Sequence, residues 1–372
     1  MLLIFATAVG AIAKDFNLAN WQDLMPYTVG AFFMFGLGAL PSGKLGDQWG
    51  RRAMMLIFFF GIGLAGIAIS FTQTPLQLGL ALTFMGAFAS IYHPVGIPML
   101  LQGVEKPGSV IGLNGLAGNL GIAAAALLTG YLVSYFGWRA AFIVPGVLSI
   151  FAGVVFALAV PKEDIAPAKR NTKLLDIDPK LRTKVLLIMT LTATSGSMLF
   201  NFSTNGNSEF LKARFPEMAS DPSTLGILLA IVYTIASFTQ IAVGKLIDAY
   251  PLKKVMLSVL LLQAPVLMLA SFVSGWTLFF VMIAFMMLIF GAIPFTDAMI
   301  VRFVDDQMRS RVSGMRLAVS FGASSAAVWM IGPVVKAAGF STLLIVMAGI
   351  AALTLVFATQ LPNTQPRAIE KA

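Results

Sequence analysis

Three ionisable side chains stand inside apolar stretches of this chain. His93 lies in Ser90-Ile91-Tyr92-His93-Pro94-Val95-Gly96, Asp297 in Pro294-Phe295-Thr296-Asp297, and Arg316 in the apolar run that opens near 312. A charge within an oily segment is costly, so each is a functional candidate by default. His93 is the sole histidine. Imidazole titrates ordinarily at about 6.5, so it can carry a proton near neutral pH. The bland alternative is a neutral histidine bonded to a neighbouring helix beside a Pro94 kink. Asp297 and Arg316 lie nine residues before and ten after a turn centred near 306. An antiparallel hairpin would bring them to similar depth, and a salt bridge is expected because either charge alone is expensive to bury. That pair is either structural or a place where protons and substrate compete.

Neutral polar groups supply the rest. Tyr92, Asn114, Asn119, Asn201, Tyr233 and Gln240 are candidates to line a substrate cavity, which needs mostly apolar walls with a few convergent polar groups. Hydrogen bonding between helices is the competing role for each. There is no cysteine, so thiolate metal sites and disulfides are excluded. One histidine excludes a histidine-rich metal site, and no Gly-x-x-x-x-Gly-Lys-Ser/Thr phosphate loop occurs. The reading is therefore no enzyme, no metal and no cofactor. The chemistry on offer is proton transfer and solute binding.

The elements that must hold these groups are membrane helices. Hydrophobic residues make up 58% of the chain and charged residues 11%, against roughly 25% charged in soluble proteins. Apolar runs of about 20 residues, enough to span a bilayer, fall near 24–43, 53–71, 76–101, 108–135, 138–160, 184–205, 224–243, 255–273, 276–301, 312–335 and 340–361. These are spans 2 to 12. Residues 1–13 are read as an incomplete span 1 rather than a signal peptide, since no basic residue precedes them. Of the 25 basic residues, 20 fall on the side that carries the loops after spans 2 and 8, the polar stretch 161–183 and the carboxyl terminus. That bias assigns this side to the cytoplasm. The net charge of +9 is then a topology signal, and no nucleic-acid partner is expected. Trp138 and Trp276 are expected in an aromatic belt at the outer ends of their spans.

The chain is built twice. Gly43-Lys44-Leu45-Gly46-Asp47 returns as Gly244-Lys245-Leu246-Ile247-Asp248, 201 residues on, and a basic pair follows each copy. Gly112 matches Gly314, and Gly137-Trp138 matches Gly339-Phe340. The expected domains are a first six-helix bundle (1–160), a linker (161–183) with a short surface helix at 176–184, a second bundle (184–361) and a tail (362–372). Six spans per half make the halves parallel, a plan common among secondary transporters. Gly112, Gly115, Gly118 and Gly121 are expected to let span 5 pack closely.

The first loop resembles the signature of the major facilitator superfamily, Gly-x-Leu-x-Asp-x-x-Gly-Arg-Arg, through Gly43, Leu45, Asp47, Gly50, Arg51 and Arg52. The resemblance implies an all-α membrane protein of two parallel, pseudo-symmetric six-helix bundles, twelve spans in all. It implies alternating access, with Gly43, Asp47, Gly50, Arg51 and Arg52 as a latch and Gly244, Asp248 and Lys253 as its weaker counterpart. It places spans 4 and 10, hence His93 and Asp297, on the central cavity. Two departures weaken a drug/proton antiporter reading. Leu82 stands where many members carry an arginine, and Ala125-Ala126 where exporters often carry Gly-Pro. His93-Pro94-x-Gly96 and Gly118-Asn119-x-Gly121 resemble the fosmidomycin-resistance branch, and no substrate follows from pieces so short. The expectation is a monomeric inner-membrane transporter of a small organic solute, proton-coupled and exporting. The alternatives are an uptake symporter for a sugar or organic acid and, more distantly, a non-transporting receptor.

Overall fold

The structure is a computed structural model, and it describes residues 1–100, 107–161, 174–176, 179–304, 306–362 and 367–369. Ten helices among them are long and apolar enough to cross a membrane. The last, Asp306–Thr359, is two helices broken at Gly339, so it carries spans 11 and 12. With the short Ile4–Asp15 helix as span 1, the twelve-span plan is complete. Span 2 starts as a 3-10 turn, Trp21–Thr28, and continues as Val29–Leu37 and Ala39–Trp49. Span 3 is Arg51–Ser70. Span 4 is Pro75–Ala89, a π turn Tyr92–Gly96, and Ile97–Leu100. Spans 5 and 6 are Pro107–Phe136 and Trp138–Ala159. Spans 7 to 10 are Pro179–Arg214, Pro222–Ala249, Leu252–Ala270 and Gly275–Phe303.

Two expectations about the linker change. Span 7 begins at Pro179 and runs unbroken to Arg214, so there is no separate surface helix at 176–184. Lys180, Arg182 and Lys184 instead sit in its first turns. Leu174–Asp176 pairs antiparallel with Arg367–Ile369, a two-stranded ribbon joining linker to tail in an otherwise helical molecule. The rest of the linker, 162–173 and 177–178, lies outside the described residues, as do tail residues 363–366 and 370–372.

The duplication is visible in backbone angles. Gly137 (φ 82°, ψ 166°) and Gly339 (φ 76°, ψ 173°) end spans 5 and 11 in the same conformation, one that residues with a Cβ rarely adopt. Gly137→Ala and Gly339→Ala are each expected to cost about 1–3 kcal/mol, read as a lower Tm in detergent. Space is open around both glycines, so the loss would come from the backbone alone.

The repeat also shows in end caps. Arg52 donates from Nε to Val160 O and from Nη2 to Ala157 O, both at 2.6 Å. Lys253 donates to Leu361 O at 2.7 Å. Arg52 to Lys253 and Val160 to Leu361 are both steps of 201. In each half a cation from the signature loop therefore caps the last span, where the helix dipole favours positive charge. Arg52→Ala removes two charge-assisted bonds and Lys253→Ala one. Arg52→Ala should give the larger Tm loss, and equal losses would contradict this account.

Packing divides the molecule by depth. At the end opposite the signature loops, one continuous apolar core joins both halves, from Phe5, Ile12, Met25 and Phe142 to Phe202, Leu229, Phe285 and Leu344. At the signature end the core splits in two. Met54, Met55, Ile91 and Val95 belong to the first half, and Val185, Ile247, Met256, Phe303 and Leu361 to the second. The halves are thus sealed at one end and parted at the other.

Trp138 departs from its expected place. It is only 4% exposed, edge-on to Phe16 at 5.9 Å, with the Arg139 guanidinium 4.4 Å over its ring. Arg139 in turn ties Asp15 Oδ2 at 2.8 Å and Thr72 O at 3.3 Å. These ties pull the ring beneath span 1 and away from lipid. Trp276, in contrast, is half exposed, as an aromatic belt requires.

Candidate translocation site

Span 4 cannot stay a regular α-helix through Pro94, which lacks an N–H and crowds the preceding turn. The π turn Tyr92–Gly96 is the result, a distortion frequent at functional sites. It aims Tyr92 at span 5, where its hydroxyl donates to Asn114 Oδ1 at 2.5 Å. The His93 ring turns toward span 2, 5.8 Å from Phe35. Phe35 packs on Phe321 of span 11 at 4.5 Å, so His93 stands at the seam between halves.

The hairpin of spans 10 and 11 brings Arg316 Nη1 to 3.2 Å from Asp297 Oδ1. The pair is lopsided: the Asp297 side chain is 56% exposed and that of Arg316 15%. The carboxylate is open while the guanidinium is sheltered. Arg316 Nε has no partner, so one donor of a sheltered cation is uncommitted. Desolvated donors of that kind are expensive unless something else meets them.

Asn119 and Gln240 lie along a second seam, between spans 5 and 8. A Cβ on Gly130 would lie 2.3 Å from Pro222 O, and one on Gly226 2.7 Å from Ala126 O. Toward the signature end, Gln240 Oε1 approaches the Gly115 position at 3.4 Å. The helices thus run antiparallel in constant register, with Asn119 one turn from Gly115. Asn119 Nδ2 and Gln240 Nε2 are both buried without partners. The tight contact of span 5 is at Gly130, not at the glycines singled out from sequence. Nothing lies within 4 Å of a Cβ on Gly118 or Gly121, and both are exposed.

Other sequence candidates lie elsewhere. Asn201 is buried and bonds back to Ser197 O at 2.9 Å. Tyr233 is buried in the second half, accepting from Asn207 at 3.4 Å and stacked on Phe290. Neither stands beside His93. In the signature loops, Gly50 has φ 87° and ends span 2, whereas Pro251 holds that place in the second copy. Gly43 and Gly46 pack against Pro94 and Val95 at the π turn, while space around Gly244 is open. Arg51 reaches Pro98 O at 3.4 Å. Asp248 is exposed, and the Asp47 side chain lies outside the described residues. Arg52 and Lys253 bond within their own halves.

Sequence reading passed over the far part of span 7. Asn205, Asn207, Ser208 and Glu209 are all buried. Ser208 donates to Ala6 O of span 1, and Glu209 pairs with Lys212 at 2.7 Å. Both side chains lie against Gly10, 3.1 and 3.2 Å from its Cβ position. The same end is tied by Lys336 to Asp23 at 2.6 Å, by Trp21 stacked on Phe340 at 6.0 Å, and by Ser134 to Asp221 at 3.2 Å. The Asp221 carboxyl is held below its usual range by the Thr224 backbone N–H and then the Thr224 hydroxyl, with Ser134 adding to them. A depressed carboxyl contributes above its unfolded value and is lost only as pH falls through the lowered one. This tie is therefore insensitive to pH near neutrality.

Two bundles, one sealed end and one parted end form a frame that known proteins share. The family model of the Major Facilitator Superfamily matches this chain twice, over residues 1–211 and 210–372. The chain belongs to the major facilitator superfamily. That membership and its apolar helices make it a multi-pass membrane protein of a transporter family. The D-xylose-proton symporter structure superposes with TM-score 0.78 at 14% identity, covering 97% of this chain and 95% of that one. A bacterial spinster homologue gives TM-score 0.72 at 14% identity, covering 97% and 94%. Among curated relatives, the tetracenomycin C resistance and export protein of Streptomyces glaucescens is 28% identical over 41% of this chain. The 4-hydroxybenzoate transporter PcaK of Pseudomonas aeruginosa is also 28% identical over 41%. The match spans only 29% and 34% of those two relatives' own length. The multidrug resistance protein MdtG of Proteus mirabilis is 23% identical over 71% of this chain and 67% of its own.

Proposed function

We propose that this superfamily member exports a small organic solute in exchange for protons, by rocking halves 1–160 and 184–361 about a central cavity. The signature end is cytoplasmic and the sealed end faces out, so the molecule is captured open to the inside of a cell inner membrane. It works as a monomer. The observation that carries the reading is the Asp297–Arg316 pair of one half, with His93 of the other standing at the seam through Phe35 and Phe321. Proton and solute would compete for the Asp297 carboxylate: ionised beside Arg316 it holds a polar solute, and a proton taken up from outside displaces that solute. Asp47, Arg51, Asp248 and Lys253 then steady the signature end as the halves close. A second reading, uptake symport of a sugar or organic acid, draws on span 5. Ala125-Ala126 leaves that helix unbroken where exporters often carry Gly-Pro.

Proteoliposomes separate the two. Internal pyranine would report proton movement on addition of 4-hydroxybenzoate, D-xylose or tetracenomycin C. Solute and proton moving oppositely support export. Movement in the same direction establishes symport, and saturable solute flux without proton movement refutes coupling.

A further inference from the structure

A half-open chamber of about 560 Å³ lies at the sealed end, beside the Ser134–Asp221 tie. Span 1 contributes Thr7, Gly10 and Lys14, span 5 Ser134, span 7 Lys212, and the start of span 8 Asp221. It is separate from the His93 site, which belongs to the parted end. Its charges are unevenly committed. The Asp221 carboxylate is occupied by Thr224 and Ser134. Glu209 is spent on Lys212. Asp15, the nearest acid in sequence to Lys14, is held by Arg139. The Lys14 ammonium makes no hydrogen bond or ion pair among the described residues. One free ammonium and one shared with a buried carboxylate thus face a space of the size that takes a small organic ligand. Hydroxyls of Thr7 and Ser134 are at hand.

We propose that this chamber binds a small organic anion, a carboxylate or phosphate, between Lys14 and Lys212. Such an anion would accept short charge-assisted bonds from both ammoniums. It would compete with Glu209 for Lys212. Because the Glu209–Lys212 pair rests on Gly10 of span 1, that competition loosens the contact between halves. Binding at this end is then coupled to opening of this end. The inference goes beyond the transport reading and does not depend on its direction or on proton coupling.

The test uses the purified full chain in neutral detergent, with citrate titrated at constant ionic strength against chloride and Tm followed by tryptophan fluorescence. The expected result is a saturable Tm rise. Lys14→Gln, which touches no partner, should fold as wild type and weaken citrate at least tenfold. Glu209→Gln frees Lys212 and should tighten citrate several-fold. A general salt effect cannot produce opposite signs in the two variants. A non-saturating response, or equal affinity in wild type and Lys14→Gln, overturns the proposal. The anion could be a free solute or a lipid headgroup, so the titration is repeated in nanodiscs of phosphatidylcholine with and without phosphatidylglycerol. Loss of apparent citrate affinity with phosphatidylglycerol assigns the chamber to a headgroup. Unchanged affinity assigns it to a free solute.

Discussion

Asp297→Asn is expected to abolish proton-driven accumulation while leaving solute exchange between equal concentrations intact. The Asp297 carboxylate is the open member of the pair and the titratable partner of Arg316 among the described residues. Its loss leaves Arg316 positively charged in every state. Accumulation should fall at least about tenfold, the equivalent of about 1.4 kcal/mol of coupling. The cost in stability should stay below the roughly 3–5 kcal/mol of breaking a fully buried pair, because Asp297 is more than half exposed. Removing both charges, Asp297→Asn with Arg316→Gln, separates structure from coupling. The double variant should recover the Tm lost by the single one and still fail to accumulate solute. If the single variant accumulates solute with an unchanged pH profile, the pair is a structural clamp only.

Much of this frame was legible in the sequence for a definite reason. Lipid enforces continuous apolar helices, and the gene duplication repeated loop, glycine and cap positions at a fixed interval. The antiparallel hairpin that pairs Asp297 with Arg316 needed only residue counting. The unread parts share one physical cause, burial in protein rather than in lipid. The stretch from Asn201 to Glu209 looks too polar for a span because hydropathy assumes lipid contact. Here neighbouring helices surround it: Asn207 and Ser208 find partners among them, while Asn201 and Asn205 bond back along their own helix. Trp138 was misplaced in the belt for the same reason, since its position beneath span 1 depends on Arg139. The cation caps of Arg52 and Lys253 are contacts over more than a hundred residues, invisible to any local pattern. The basic pairs were visible, but their role as caps within each half was not. What could have drawn attention to span 7 was Glu209 with Lys212, an i, i+3 pair of opposite charge at the end of an apolar run.

Gly130→Leu should produce the second large effect, on the balance between states. In lipid, helices associate through close packing and not through a hydrophobic drive, so the backbone approach of spans 5 and 8 is itself the closure. A side chain at Gly130 meets Pro222 O and the Gly226 backbone, and no flexible group can move aside. The halves must part at the sealed end, where Ser208 on Ala6 and Lys336 on Asp23 would be strained together. Because the chain contains no cysteine, Thr7→Cys in the chamber wall gives a clean reporter. With Gly130 intact it should react slowly with a membrane-impermeant maleimide, since Thr7 is buried. With Gly130→Leu its rate should rise at least about tenfold, a population shift of about 1.4 kcal/mol, and transport should fall by a similar factor or more. Gly130→Ala should lie between. Gly118→Ala, at an exposed position, should change neither rate. If Gly130→Leu kept its Tm and the reporter stayed slow, the seam would not be the element that holds this end shut.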